Sequence, residues 1–231
     1  MKSLLPLSLA TGITLSLVSC EYENTYQQGY RSTYSTQKQS NAIIFQSTGA
    51  PVAKLPAQLG IVRVEKNHRN ELYIPKGVIH ESESDAQVLS QLSGIRSVLM
   101  LNSVMANQTF ADMASLRQEA RRYGVNVIGL YSIETNVKRK DCAWPLTIAT
   151  LGILPNQEMK INSMATFSII DAKSGYFYGS SSTIEKNKTL ATSINYYAAK
   201  KEHINETEYS AYQAMLQKIP SAWSHASRQM R

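Results

Sequence analysis

This chain has little of what usually marks a chemical site. It has two cysteines and four histidines in 231 residues. Two cysteines are too few for a disulfide framework or a cysteine-built zinc site. His68, His80, His203 and His225 stand far apart, with no HxxxH or HExxH spacing, which argues against a histidine metal site. No GxGxxG or GxxxxGK[ST] loop cradles a phosphate, and no GxSxG elbow presents a serine. No cofactor and no metal is expected. With 11 Gly and 7 Pro, the chain is neither collagenous nor low-complexity throughout. No second long apolar run follows the N-terminal one, which excludes a polytopic helical membrane protein. Acidic residues are the minority, 17 against 24 Lys and Arg. The basic residues are dispersed, so the excess reads as a surface suited to anionic lipid headgroups and not to nucleic acid.

What is present starts at the N-terminus. Met1-Lys2 is a minimal positive region, and Leu4 to Val18 is apolar and small-polar, too short to span a bilayer. The run ends in Leu17-Val18-Ser19-Cys20. This is the shape of a secretory signal peptide over residues 1–19. The four closing residues resemble the bacterial lipoprotein lipobox. That resemblance implies that Cys20 receives diacylglycerol, that the signal is cut before it, and that the new amine is acylated. Several buried acyl chains hold a protein on a membrane without a transmembrane helix, at roughly 0.8 kcal/mol per CH₂.

Residues 20–53 read as the lipidated cysteine and a tether. The stretch is rich in Ser, Thr, Gln, Asn and Tyr, and lacks aliphatics until Ile43-Ile44-Phe45. Such a segment cannot bury enough surface to offset its ordering entropy. As a coil of about 33 residues it would span roughly 30 Å, and about 110 Å fully stretched. Tyr22, Tyr26, Tyr30 and Tyr34 recur every four residues, as a helical stripe or as a tyrosine-bearing linker.

Residues 54–231 read as one α/β domain with a mixed sheet, in the order β-α-β-α-β, then an apolar insert at 141–155, a β-hairpin and a helix. Leu59 to Lys66 is a strand. Ser82 and Asp85 form a capping box before a helix that Gly94 stops. Ile95 to Val104 is a second strand. A helical face of Phe110, Met113, Leu116, Ala120 and Tyr123 ends at Gly124. Val125 to Glu134, apolar on both faces, is a central strand. Ile161 to Asp171 alternates, Asp171 to Gly175 has hairpin chemistry, and the return strand runs to about Lys186. A last helix starts near a capping pair at Asn205 and Glu208 and ends at Pro220.

Within the insert, Ala143 to Leu154 carries no charge, and Lys138-Arg139-Lys140 flanks its start. One reading packs it in the core. The other makes Trp144, Leu146, Ile148, Leu151, Ile153 and Leu154 an exposed contact for a partner or a membrane interface. Cys142 lies beside the basic cluster, which can lower a thiol pKa. Ser180, Ser181 and Ser182 sit on the return strand.

Leu116 to Leu130, the apolar insert, and Ala165 to Asp171 with Gly175 and Phe177 are similar to the bacterial rhombotarget lipoprotein family. The resemblance implies an envelope lipoprotein with no assigned activity and no catalytic residues to carry over. The element order also resembles, at fold level, periplasmic lipoprotein domains of secretion and envelope-assembly systems. The sequence therefore predicts a non-enzymatic binding or assembly module on the periplasm-facing outer membrane. It would be held by membrane lipid through Cys20 and bind an envelope protein partner. The alternative is an exported hydrolase or thiol-dependent enzyme using Cys142 or a Ser/His pair.

Overall fold

A computed structural model describes residues 23–27, 49–67, 69, 71–75, 81–141, 157–192 and 194–231. The main sheet is mixed. Strands β2 (Ala57–Arg63), β5 (Ile95–Met100) and the first part of β7 (Val127–Asp141) run parallel, in the order β5-β2-β7. β8 (Gln157–Asp171) and β9 (Phe177–Ala191) extend it as an antiparallel meander. β1 (Glu23–Gln27) pairs antiparallel with the far part of β7. A small antiparallel sheet holds β3 (Glu65–Lys66), β4 (Leu72–Tyr73) and β6 (Thr109–Phe110), in the order β3-β4-β6. The helices are α1 (Glu83–Ser90), α2 (Leu101–Met105), α3 (Met113–Arg122) and α4 (Tyr196–Gln229). This is the single α/β domain with a mixed sheet that the sequence predicts.

Both faces of the sheet are covered, but to different lengths. On one face the odd-numbered residues of β7 and β8 meet α4. Tyr131, Ile133, Ala165, Phe167 and Ile169 pack there against Ala211, Tyr212, Met215, Ile219 and Trp223. On the other face Ile128, Leu130 and Ile170 meet Leu101, Met105, Leu116 and Ala120 of α2 and α3. α4 has 34 residues, about 50 Å at 1.5 Å per residue. The 15 residues of each long strand span a similar length, about 50 Å. The helix therefore backs the meander from end to end. α2 and α3 are short, and the residues they bury stop near Leu130. Beyond that point the even-numbered side chains of β8 and β9 are half-buried or exposed.

Glycine fits where backbone or packing demands it. Gly94, Gly124 and Gly175 have φ of 83°, 81° and 75°, in the left-handed region that closes helices and hairpins. Gly129 is needed for space. A Cβ there would stand 2.7 Å from Ile61 Cδ1 and 2.7 Å from Phe167 Cε2. Gly129→Ala is expected to cost about 1–3 kcal/mol through overpacking, read as a lower urea midpoint with an unchanged slope.

Several boundaries differ from the sequence reading, each for a packing reason. The strand read from Leu59 to Lys66 is two strands in two sheets, divided at Val64. The strand read from Ile95 to Val104 ends at Met100. Helix α2 then buries Leu101, Asn102 and Met105, and the Asn102 side chain accepts the Arg63 amide at 2.7 Å. Phe110 lies on β6 and not on the helix, and Tyr123 caps α3 with 40% of its surface exposed. The return strand runs to Ala191, following β8 to its start. The final helix begins at Tyr196, not near Asn205, and continues through Pro220. A proline inside a helix costs about 3 kcal/mol. The turns beyond it bury Trp223 and Ala226, the capping Met230 is buried too, and Trp223 Nε1 donates to the Ser93 carbonyl at 2.9 Å. Full burial of large apolar side chains, at about 1.5–3 kcal/mol each, outweighs the lost bond. Within the stretch read as a tether, Glu23–Gln27 is a strand. It takes the part of the β7 edge that β2, ending at Arg63, leaves open.

Candidate functional site

Cys20, Cys142 and the insert residues Trp144, Leu146, Ile148, Leu151, Ile153 and Leu154 lie outside the described residues, as do His68, His80 and Ile43 to Phe45. The side chains of the tyrosine series lie outside them too. The structure does locate the chain on either side of these segments. The insert leaves from Asp141 and returns at Gln157, which are paired across β7 and β8. Glu23 is in register with Lys140. Three residues separate Glu23 from Cys20, at most about 11 Å of chain. Glu23, the two ends of the insert and Lys138-Arg139-Lys140 thus meet at one end of the sheet.

That end is basic on its open face. Lys138, Lys160 and Lys188 form one rung across β7, β8 and β9. Glu158 pairs with Lys188 at 3.0 Å and Lys160 at 3.4 Å. The hydrogen bond from Lys188, followed by that from Lys160, holds the Glu158 carboxyl below its ordinary value. Lys160 and Lys188 keep 54% and 65% of their side-chain surface exposed. Ile184 and Leu190, on the same side of β9 as Lys186 and Lys188, are exposed at 56% and 59%. On the opposite face Arg139 lies 4.9 Å over the ring of Tyr196, fixing the start of α4 to the same end of β7.

A second constellation, unforeseen from sequence, occupies the carboxyl ends of the parallel strands, where open α/β sheets place ligands. Arg63, 7% exposed, ends β2. Its Nη2 lies 2.9 Å from Glu65 and 3.6 Å from Glu208 of α4. Thr135 donates to Glu208 at 2.8 Å, and Tyr73 to Glu65 at 2.6 Å. Tyr131 donates to Glu81 at 2.7 Å, and Tyr212 to Asp85 at 3.1 Å. The two tyrosine rings are 5.5 Å apart. Burial opposes the charge on Arg63, but Glu65 and Glu208 outweigh it and keep the guanidinium firmly protonated. Burial pushes the Glu81 carboxyl up, against the Tyr131 bond and the Arg63 charge. Burial, then Glu81, raises Tyr131; burial, then Asp85, raises Tyr212. Each phenol therefore stays a donor, and the cluster ties β2, β7, α1 and α4 together. The sequence signal was a lone arginine inside an apolar strand.

Among the described residues the serine and histidine candidates are not hydrogen-bonded to one another. Ser180 and Ser182 are exposed on β9, and Lys218 Nζ donates to the Ser182 carbonyl at 2.8 Å. His203 lies 2.8 Å from Glu206 and 3.2 Å from Thr189, and His225 lies 3.2 Å from Gln229. Among the described residues no histidine is hydrogen-bonded to Ser180, Ser181 or Ser182, and no group of three or more His, Cys, Asp or Glu is placed to hold a metal. Among them, too, no helix is long and apolar enough to cross a membrane.

No protein-family model matches the chain, and no curated protein matches it. Among solved structures the chain is similar to Lipoprotein GNA1162 from Neisseria meningitidis, at 11% identity and a TM-score of 0.31, over 65% of this chain and 97% of that one.

Proposed function

We propose that this protein is a bacterial envelope lipoprotein. It is anchored by acylated Cys20 to the periplasm-facing side of the outer membrane and serves as a non-enzymatic binding or assembly module. The observation that carries the reading is the apolar run Leu4 to Val18 closing in Leu17-Val18-Ser19-Cys20. The resemblance of Leu116 to Leu130 and Ala165 to Asp171 to rhombotarget lipoproteins supports it. The uncharged stretch Ala143 to Leu154 supplies the contact for an envelope protein partner, because an apolar surface loses least on leaving water.

The test is metabolic labelling with palmitate. Wild-type chain is expected to carry label and to fractionate with membranes. Cys20→Ala is expected to carry none and to keep residues 1–19. Equal labelling of both forms would refute the assignment. A form lacking residues 143–154 is expected to stay anchored and to lose its cross-linked partner.

A further inference from the structure

The lysine rung is costly for a sheet and so calls for an explanation. Like charges directly opposite each other on one face destabilise it. Lys160 lies opposite Lys188 on one side and Lys138 on the other, and Lys186 follows on the same face of β9. Glu158 bridges Lys160 and Lys188, yet one carboxylate cannot neutralise both. Lysines on an edge strand discourage unwanted strand pairing. That role explains neither Lys160 on the inner strand β8 nor the exposed Ile184 and Leu190 among the charges. The neighbouring end of the molecule exposes more apolar surface, Ile194 at 75% and Tyr197 at 82%. Basic and interleaved with the exposed aliphatic side chains of Ile184 and Leu190, this face has the composition of a membrane-contacting one.

We propose that the sheet face carrying Lys160, Lys186 and Lys188, with Ile184 and Leu190 between them, rests on the anionic headgroups of the membrane that holds the chain. The choice of a lipid surface over an acidic protein rests on the lipoprotein reading together with β1. Glu23 is held against Lys140 at this same end of the sheet. An acyl group on Cys20, at most about 11 Å of chain further, leaves the domain no room to stand off on a long linker. The end of the sheet nearest the anchor is the one whose open face is basic. Charge complementarity with anionic lipid then fixes the orientation: α4 and its buried face point away, and the lysine face lies down.

The experiment uses residues 20–231 with Cys20→Ser, so that acylation plays no part. Among the described residues the buried core runs from Ala53 to Met230; circular dichroism checks folding of each variant. Flotation is measured with vesicles rich in phosphatidylglycerol and with pure phosphatidylcholine vesicles. The chain is expected to float with the first and not the second. K160Q/K186Q/K188Q is expected to weaken partitioning about 100-fold, from about 1 kcal/mol per lysine near an anionic surface. K54Q/K173Q/K218Q removes the same charge from exposed positions elsewhere and is expected to leave binding intact. Equal loss in the two triple variants, equal binding to both vesicles, or no binding at all would each overturn the proposal. Absence of an acyl mass on wild-type Cys20 would instead overturn the lipoprotein reading, and would leave the flotation result standing on its own.

Discussion

Asp171→Ala is expected to remove about 4 kcal/mol of stability, a large part of the 5–15 kcal/mol that holds a typical domain together. Asp171 is fully buried, and among the described residues no basic side chain pairs with it. One carboxylate oxygen accepts the amides of Val52 and Ala53 at 2.8 and 2.6 Å and the Tyr178 hydroxyl at 3.0 Å. The other accepts the amides of Lys173 and Ser174 at 2.8 and 2.9 Å. The residue thus shapes the β8–β9 turn and fastens to it the chain leading into β2. Alanine would leave four backbone donors without their acceptor. Asparagine should do little better, because its amide nitrogen must face donors on whichever side it is turned. Urea unfolding of both variants checks this, and a loss below about 1 kcal/mol would remove the argument.

The same residue sets an acid limit. Burial pushes the Asp171 carboxyl up, but the amides of Ser174, Ala53, Val52 and Lys173 outweigh it and hold it below its ordinary value. A depressed folded-state pKa stabilises above the unfolded value, and that contribution is lost as pH falls through the folded value. Wild-type stability should therefore decline on acidification in this range. The gap between wild type and Asp171→Ala should narrow there.

Local chemistry in this chain was legible because its signals are local. Ser82 with Asp85 makes a capping box with both bonds present. Gly124 and Gly175 have the positive φ that their neighbours imply. The double-sided apolar run from Val125 marks β7 as interior, between β2 and β8. The misreadings share a cause, which is that distant partners decide. Nothing near Pro220 announces that Trp223 will reach the Ser93 carbonyl, so a local stop signal looked final. Leu101 to Met105 is as compatible with strand as with helix until Asn102 is needed to receive the Arg63 amide. Glu23–Gln27 has the composition of a linker and becomes a strand because the far edge of β7 is otherwise unpaired. The lysine face needed cross-strand register: Lys160 and Lys188 are neighbours only once β8 and β9 are aligned.

The polar cluster around Arg63 was hidden in the same way, since Arg63, Glu65, Glu81, Asp85, Tyr131, Glu208 and Tyr212 come from elements throughout the chain. Its weight can be measured. Arg63→Met keeps an unbranched apolar stem and removes the charge, leaving Glu65 and Glu208, with 13% and 12% of their side-chain surface exposed, without the Arg63 guanidinium. Breaking a buried pair from one side costs about 3–5 kcal/mol, and a loss of that size is expected here. Arg63→Met with Glu208→Gln should recover part of it, because the second change removes one of the stranded charges; a double-mutant cycle reads the coupling. A purely steric origin predicts no recovery. The pH dependence separates the two further. Without Arg63 the charge that draws the Glu81 carboxyl down is gone, and burial pushes that carboxyl further up. Carboxyls whose folded-state pKa is raised bind more protons folded than unfolded, so stability falls as pH rises through that range and returns as pH drops. Arg63→Met should therefore regain stability relative to wild type on mild acidification, the same direction as the narrowing expected for Asp171→Ala but from the opposite cause: there wild type loses stability, here the variant recovers it.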